Sequence, residues 1–148
     1  MEGNNFQFQL LSLNVRGIHS FEKRKCIFNW LLKQKADIFF LQETYSTKEI
    51  ENQWQKQWRG DLIFSHGTSH SKGVLILVRE NLDFQVKSTR IDDLGRFIIL
   101  DTLIQDSPFL LENIYAPTKA SEQGQFLDEI ANHIADKACQ SEHYYYWR

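Results

Sequence analysis

Residues 36–44 read ADIFFLQET, and the class of fold turns on how that stretch is understood. Ala36 to Leu41 is a short continuous apolar run, the pattern of a strand covered on both faces rather than of one with a wet side. Gln42 and Glu43 stand at its exit, so polar side chains emerge where a buried strand ends. Upstream, Phe6 to Val15 (FQFQLLSLNV) begins as apolar/polar alternation and becomes solidly apolar, a strand running from an edge into a core and ending near Asn14. Between the two, Ser20 is positioned to cap a helix whose Ile27, Trp30 and Leu31 fall at i, i+3, i+4.

Downstream, Thr47 to Trp58 reads as a polar helix carrying two tryptophans. Four short runs follow, Asp61 to Phe64, Val74 to Val78, Phe84 to Lys87 and Arg96 to Leu103. Turn signals separate them: His66-Gly67, Arg79-Glu80-Asn81 and Asp92-Asp93-Leu94-Gly95. Another strand, Phe109 to Tyr115, starts after Ser107-Pro108 and is stopped by Pro117. Phe126, Leu127, Ile130 and Ile134 mark an amphipathic helix from Ala120 to about Ala138. A last strand is due after Ser141, where HYYYWR (residues 143–148) stands. Strand, helix, strand, helix, a run of strands and a helix predict a mixed α/β (α+β) sheet with packed helices.

The 148 residues are 42% hydrophobic and 24% charged with a formal net charge of −2, which predicts one globular domain with a sizeable core. Such a balance gives no composition-level argument for nucleic-acid binding, yet leaves room for an enzyme that touches a few phosphates. Cys26 and Cys139 lie far apart without metal-ligand spacing, so they read as free thiols in a reducing compartment. No stretch has the pattern of a signal peptide or membrane span, which places the chain inside the cell, nuclear or cytoplasmic.

Three polar spots stand at strand exits: Asn14 in LNVRGI, Glu43 in LQETY, and Asn113 with Tyr115 in ENIYAP. Side chains at the ends of neighbouring strands converge on one rim of a sheet, where α/β folds build sites. Each taken alone has a plainer reading: Glu43 as a solvated residue, Asn14 as a turn former before Gly17, Tyr115 as core. Together and in this order they resemble the opening half of the endonuclease/exonuclease/phosphatase superfamily, above all the apurinic-endonuclease-like domain of LINE-type retrotransposon proteins. SKGVLILV at Ser71 to Val78 and the Gly95-Arg96 pair before a strand extend the resemblance over essentially the whole chain.

The resemblance implies the N-terminal half of a four-layered α/β sandwich and metal-dependent cleavage of DNA. It makes Glu43 the carboxylate that holds Mg²⁺ or Mn²⁺, with the Asn14 amide beside it. Tyr115 becomes the rim tyrosine that hydrogen-bonds the scissile phosphate, Asn113 a residue that orders the rim, and Arg16 and Lys72 phosphate contacts. The family then carries a strand, a Gly-Asp-Phe-Asn that activates water, and a later Ser-Asp-His. None of these motifs occurs here, and His19, His66, His70, His133 and His143 read as surface or loop residues.

HYYYWR occupies the place of the missing strand. Codons TAT TAT TAT TGG AGG for its last five residues, read one nucleotide later, give Ile-Ile-Ile-Gly-Gly, the family's strand and glycines. Residues 1–148 therefore read as a truncated domain with a frameshifted end at 144–148, the alternative being a genuine or deliberate short form. A chain so composed is expected to bind metal weakly or not at all and to lack nuclease activity. One sheet face is expected to lie uncovered, making the chain aggregation-prone without a stable oligomer. Other readings are a residual nucleic-acid-binding or interaction module, or a phosphoesterase of small or lipid phosphates.

Overall fold

The structure, a computed structural model, describes residues 7–140 and 145–147. Its elements are β1 (Leu10–Asn14), α1 (Phe21–Leu32), β2 (Ile38–Gln42), a 3-10 turn (Lys48–Ile50) leading into α2 (Glu51–Gln57), and the strands β3 (Gly60–Ser65) and β4 (Val74–Arg79). Then come β5 (Phe84–Ile91), β6 (Phe97–Ile104), β7 (Ser107–Ile114), α3 (Ala120–Gln140) and β8 (Tyr145–Trp147). Among the described residues no helix is long and apolar enough to cross a membrane.

Two four-stranded sheets result, ordered β1-β2-β4-β3 and β5-β6-β7-β8. β1 runs parallel to β2, with α1 as the crossover such a pair requires, and α3 plays the same part between parallel β7 and β8. The remaining pairs are antiparallel. The apolar run of β2 is explained by its two covered faces. Ile38 and Phe40 point between the sheets with Val74, Ile76 and Val78 of β4, meeting Ile98, Leu100, Ile104 and Leu111 of the second sheet. Phe39 and Leu41 point the other way, onto Phe28 and Leu31 of α1 and onto Trp54 and Trp58. Phe97, Ile99 and Leu110 on the outer face of the second sheet receive Phe126 and Ile130 of α3. Helix, sheet, sheet and helix make four layers.

Two arginines tie the first helical layer down. Arg79 donates to Leu31 O, Leu32 O and Gln34 O (3.3, 3.0 and 2.6 Å), binding carbonyls at and just beyond the end of α1. Arg24, fully buried, donates to Ile18 O (3.2 Å), His19 O (2.9 Å), Gln53 Oε1 (3.1 Å) and Gln57 Oε1, with its guanidinium 4.6 Å over the Trp54 ring. It holds the loop after β1 against α2, and burial pushes its pKa below the usual value.

Ser20 caps α1 as expected, accepting from Lys23 N. The buried face of that helix differs from the expected one: Arg24, Phe28 and Leu31 lie inside, whereas Trp30 is 45% exposed. Phe28 takes the inner place because Trp54 and Trp58 both meet its ring edge-on, at 6.0 and 5.8 Å. β5 runs four residues past the expected Lys87, to Ile91, because the register shift between Val86 and Ser88 absorbs the irregularity and lets pairing with β6 resume. The picture of one sheet with an uncovered apolar face is corrected, since the meander folds into a second sheet that covers the first. Tyr145 to Trp147 form a strand, in keeping with aromatic strand propensity. Residues 1–6, 141–144 (with His143) and Arg148 lie outside the described residues, as does the side chain of Cys139; Cys26 is a free, exposed thiol.

Phe40, 2% exposed between the sheets, should be costly to truncate. Phe40→Ala is expected to lower stability by about 3–5 kcal/mol in urea unfolding, while Leu127→Ala on the exposed side of α3 should stay within about 0.5 kcal/mol. Equal effects would mean that the two sheets do not pack on each other in solution.

Candidate active site

Because β1 and β2 are parallel, both deliver their C-terminal ends to one rim of the first sheet; antiparallel β4 starts at that rim. Backbone hydrogen bonds continue the ladder beyond the strands. Val15 N donates to Gln42 O (3.0 Å), Gly17 N to Glu43 O (2.6 Å) and Ile18 N to Thr44 O (3.0 Å). On the other side Thr44 N donates to Gly73 O (3.0 Å), Tyr45 N to Lys72 O (2.9 Å) and Gly73 N to Gly95 O (2.9 Å). Tyr115 N closes the second sheet's end on Arg96 O at 2.7 Å. Four non-glycine residues of this rim hold left-handed backbone: Arg16 (φ 51°), Glu43 (54°), Tyr45 (56°) and Lys72 (61°). Such conformations cost roughly 1–3 kcal/mol each and persist only where the surroundings impose them.

The chemistry gathers on that strained rim. Tyr115 Oη donates to Glu43 Oε1 at 2.6 Å. That bond, with burial and the nearby carboxylate charge behind it, pushes the Tyr115 phenol up to about 12. At neutral pH the hydroxyl is therefore a proton-bearing donor and not a base. Glu43 and Tyr115 share a cleft of about 480 Å³ with Tyr45, Ser71, Lys72, Arg96 and Lys119. An adjoining recess of about 440 Å³ is lined by Asn14, Gln42, Asn113 and again Tyr115.

Asn113 is the buried member of the group. Its Nδ2 donates to Leu41 O (3.1 Å) and Leu75 O (2.9 Å) of the first sheet, and its Oδ1 accepts from Gln42 Nε2 at 2.9 Å. Asn14 Oδ1 accepts from Arg16 N (3.0 Å), and Lys23 Nζ donates to Arg16 O (3.1 Å). Of the six residues predicted for the site, the structure brings Glu43, Lys72 and Tyr115 into one cleft and Asn14 and Asn113 into the recess beside it. Arg16 is exposed and lines neither.

Several residues of the site escaped sequence reasoning. Arg96 reaches the cleft while clamped by Asp92, which takes its Nε at 2.7 Å and its Nη2 at 2.9 Å. Burial raises the Asp92 carboxyl, but the guanidinium and backbone N–H of Arg96 outweigh it and hold Asp92 below the usual range; Asp92 in turn raises Arg96. The Gly95-Arg96 pair was the available signal. His66 lies in a loop as expected, but it is partly buried and its ring is fully engaged. Its Nε2 faces Glu51 Oε2 at 2.9 Å, its Nδ1 faces Ser46 Oγ at 3.0 Å, and its ring stacks on Phe64 at 4.8 Å. Since Thr44 Oγ1 donates to Ser46 Oγ (3.2 Å), this network braces the turn that follows Glu43. Contacts spaced 15 and 20 residues apart leave no sequence signal. Among the described residues no group of three or more His, Cys, Asp or Glu side chains could hold a metal ion. Side-chain oxygens at the rim include those of Glu43 and Glu122 in the cleft and of Asn14 in the recess beside it.

The raised phenol of Tyr115 fixes the direction of a pH effect. Its folded value, about 12, lies above the ordinary value near 10, so the contribution to stability is complete below about pH 10 and is lost as pH rises through about 12. In a tyrosinate absorbance titration with folding followed by circular dichroism, the difference between the wild-type chain and Tyr115→Phe should show that late ionisation. Glu43→Gln should return it toward roughly 10. A wild-type Tyr115 already ionising near roughly 10 would show that the bond to Glu43 is not formed.

Residues 11–145 match the model of the endonuclease/exonuclease/phosphatase family. A curated relative, the transposon TX1 uncharacterized 149 kDa protein of Xenopus laevis, is 28% identical over 123 residues, covering 83% of this chain and 9% of that protein. Among solved structures, a humanized D. rerio TDP2 carrying 14 mutations superposes with a TM-score of 0.63 at 14% identity, covering 90% of this chain and 57% of that one. A mannosyl-6-phosphatase of Bacteroides thetaiotaomicron gives 0.62 at 16% identity (86% and 60%), and an AP endonuclease of Leishmania major gives 0.55 at 16% identity (79% and 44%). The chain thus spans less than a tenth of the curated relative and about half of the solved structures it resembles, and at these identities the structural likeness shows the shared fold. The family match over most of its length establishes that the chain belongs to the endonuclease/exonuclease/phosphatase family.

Proposed function

We propose that residues 1–148 supply one part of the active site of a transposon-derived, apurinic-endonuclease-like DNA phosphodiesterase. The observation that carries this reading is the 2.6 Å bond between Tyr115 and Glu43 in a cleft that also holds the cations Lys72, Arg96 and Lys119. A carboxylate beside a phenol that keeps its proton at neutral pH, in a cleft that also holds Lys72 and Lys119, suits a phosphate diester better than a neutral ligand.

The donor set fits a hard divalent cation of the water-rich kind, because Mg²⁺ commonly takes one or two carboxylates and completes its shell with water and substrate phosphate. Glu43 would hold it, with Asn14 beside it; Mg²⁺ or Mn²⁺ so bound would neutralise phosphate charge and favour departure of the 3′ oxygen. Tyr115 keeps its proton at Oη and can turn it from Glu43 to a phosphate oxygen. Lys72 attracts and orients the diester, and Arg16 on the exposed approach adds a second phosphate contact. Asn113, with both ends of its amide engaged, orders the rim and does not react.

The sequence contains neither Gly-Asp-Phe-Asn nor Ser-Asp-His, the motifs whose groups activate water and contact the phosphate in the family resemblance. Loss of groups that act as a unit removes most of the rate, so these 148 residues by themselves bind without cutting. Fluorescence anisotropy on duplex DNA at several salt concentrations should show affinity falling as salt rises, with Lys72→Ala reducing the slope by about one charge. Calorimetry should find Mg²⁺ binding of millimolar strength at best, abolished by Glu43→Ala, and a supercoiled plasmid should stay uncut. Binding that ignores salt, or a tight Mg²⁺ site indifferent to Glu43, would sink the proposal. Preferential hydrolysis of a small sugar or lipid phosphate would replace it with the phosphoesterase reading.

A further inference from the structure

Tyr45 has a place in the cleft that the chemistry at Glu43 and Tyr115 does not use. It stands two residues after Glu43 in left-handed backbone (φ 56°), a conformation bulky side chains rarely adopt. The surroundings impose it from three directions. Tyr45 N donates to Lys72 O at 2.9 Å, and Tyr45 O receives a hydrogen bond from His19 Nδ1 at 2.9 Å. The third constraint is Gly17: a Cβ added there would stand 2.2 Å from the Tyr45 Cε2 and 2.4 Å from its Cδ2, so the ring lies against bare backbone. Despite this bracing the ring is not part of the three apolar cores. It is half-buried and lines the cleft with Glu43, Lys72, Arg96, Lys119 and Tyr115.

A braced aromatic ring among cations is the combination by which proteins hold unpaired nucleotides, the cations tracking phosphate and the ring covering a base. In an intact duplex both faces of each base are already stacked, so a base reaches such a ring only after leaving its pair. Single strands and mismatches offer the base without that step. We propose that Tyr45 determines the substrate preference of this cleft, stacking on an unpaired base next to the phosphate at Glu43 and Tyr115, so that locally unpaired DNA is bound ahead of perfect duplex. The inference rests on the DNA reading above and deepens it by naming the form of DNA.

The test compares the 148-residue chain on a labelled perfect duplex and on the same duplex with a short central mismatch bubble, by anisotropy at several salt concentrations. Wild type should favour the bubble by roughly 5- to 150-fold, the range one base–aromatic stack provides. Tyr45→Phe should keep the preference, whereas Tyr45→Leu, which retains bulk without an aromatic face, should lose it, so that bubble and duplex bind alike. Thermal melts establish that both variants fold. A preference that survives Tyr45→Leu, or a wild type that binds both DNAs equally, overturns the assignment to Tyr45 while leaving the DNA reading in place. If wild type binds neither DNA in a salt-dependent way, the DNA reading itself fails and this inference falls with it.

Discussion

The buried amide of Asn113 is the constraint on which the site depends. Apolar contact between two sheets is non-directional, so the cluster of Phe40, Ile76, Ile98 and Leu100 favours burial without choosing a single alignment of one sheet on the other. Asn113 supplies the choice. From β7 of the second sheet it donates to Leu41 O and Leu75 O of the first and accepts from Gln42. Sliding the sheets would strand those groups in a water-free layer, at roughly 1–3 kcal/mol for each group left unsatisfied. The alignment so enforced sets Tyr115, two residues after Asn113, against Glu43, one residue after Gln42. One amide in the core thus determines a contact at the rim.

A rim built this way can carry strain. Arg16, Glu43, Tyr45 and Lys72 all hold left-handed backbone within a few residues of β1, β2 and β4, which are hydrogen-bonded to one another. The ladder bonds that run past the strand ends, and glycines at 17, 73 and 95, let the loops approach closely enough to interlock. A Cβ at Gly73 would stand 2.4 Å from Thr44 Oγ1, and one at Gly95 would stand 2.7 Å from Gly73 N. The cores on either side of the first sheet supply the stability that such positions draw upon.

What the sequence made legible follows from how local each cause is. The two-sided burial of β2, the Ser20 cap, the order of elements and the polar residues at strand exits are matters of neighbours in the chain, and all could be read. Where the cause lay across the fold the reading failed. The inner face of α1 depends on Trp54 and Trp58, the second sheet depends on the meander folding back, and the extent of β5 depends on a shift in pairing with β6. Site residues divide in the same way. Glu43 and Tyr115 announce themselves at strand ends, and Arg96 is signalled locally by the Gly95-Arg96 pair and by Asp92 four residues back, but His66 reaches the rim through Ser46 and Glu51, partners that no spacing reveals.

The formal net charge of the chain is −2, and the candidate cleft gathers Lys72, Arg96 and Lys119 with the acids Glu43 and Glu122. The cations of the cleft differ in freedom. Arg96 is committed to Asp92, with Glu129 a further 4.0 Å away, so its charge is largely compensated and its geometry fixed. No ion pair engages Lys72 or Lys119 among the described residues, and both line the cleft beside Glu43. A rigid compensated arginine shapes a wall, whereas an uncommitted lysine contributes attraction that salt can screen. On the proposed reading, the electrostatics of a phosphate's approach would belong to the lysines, and the geometry of holding it to Tyr115, Glu43 and the wall that Arg96 completes.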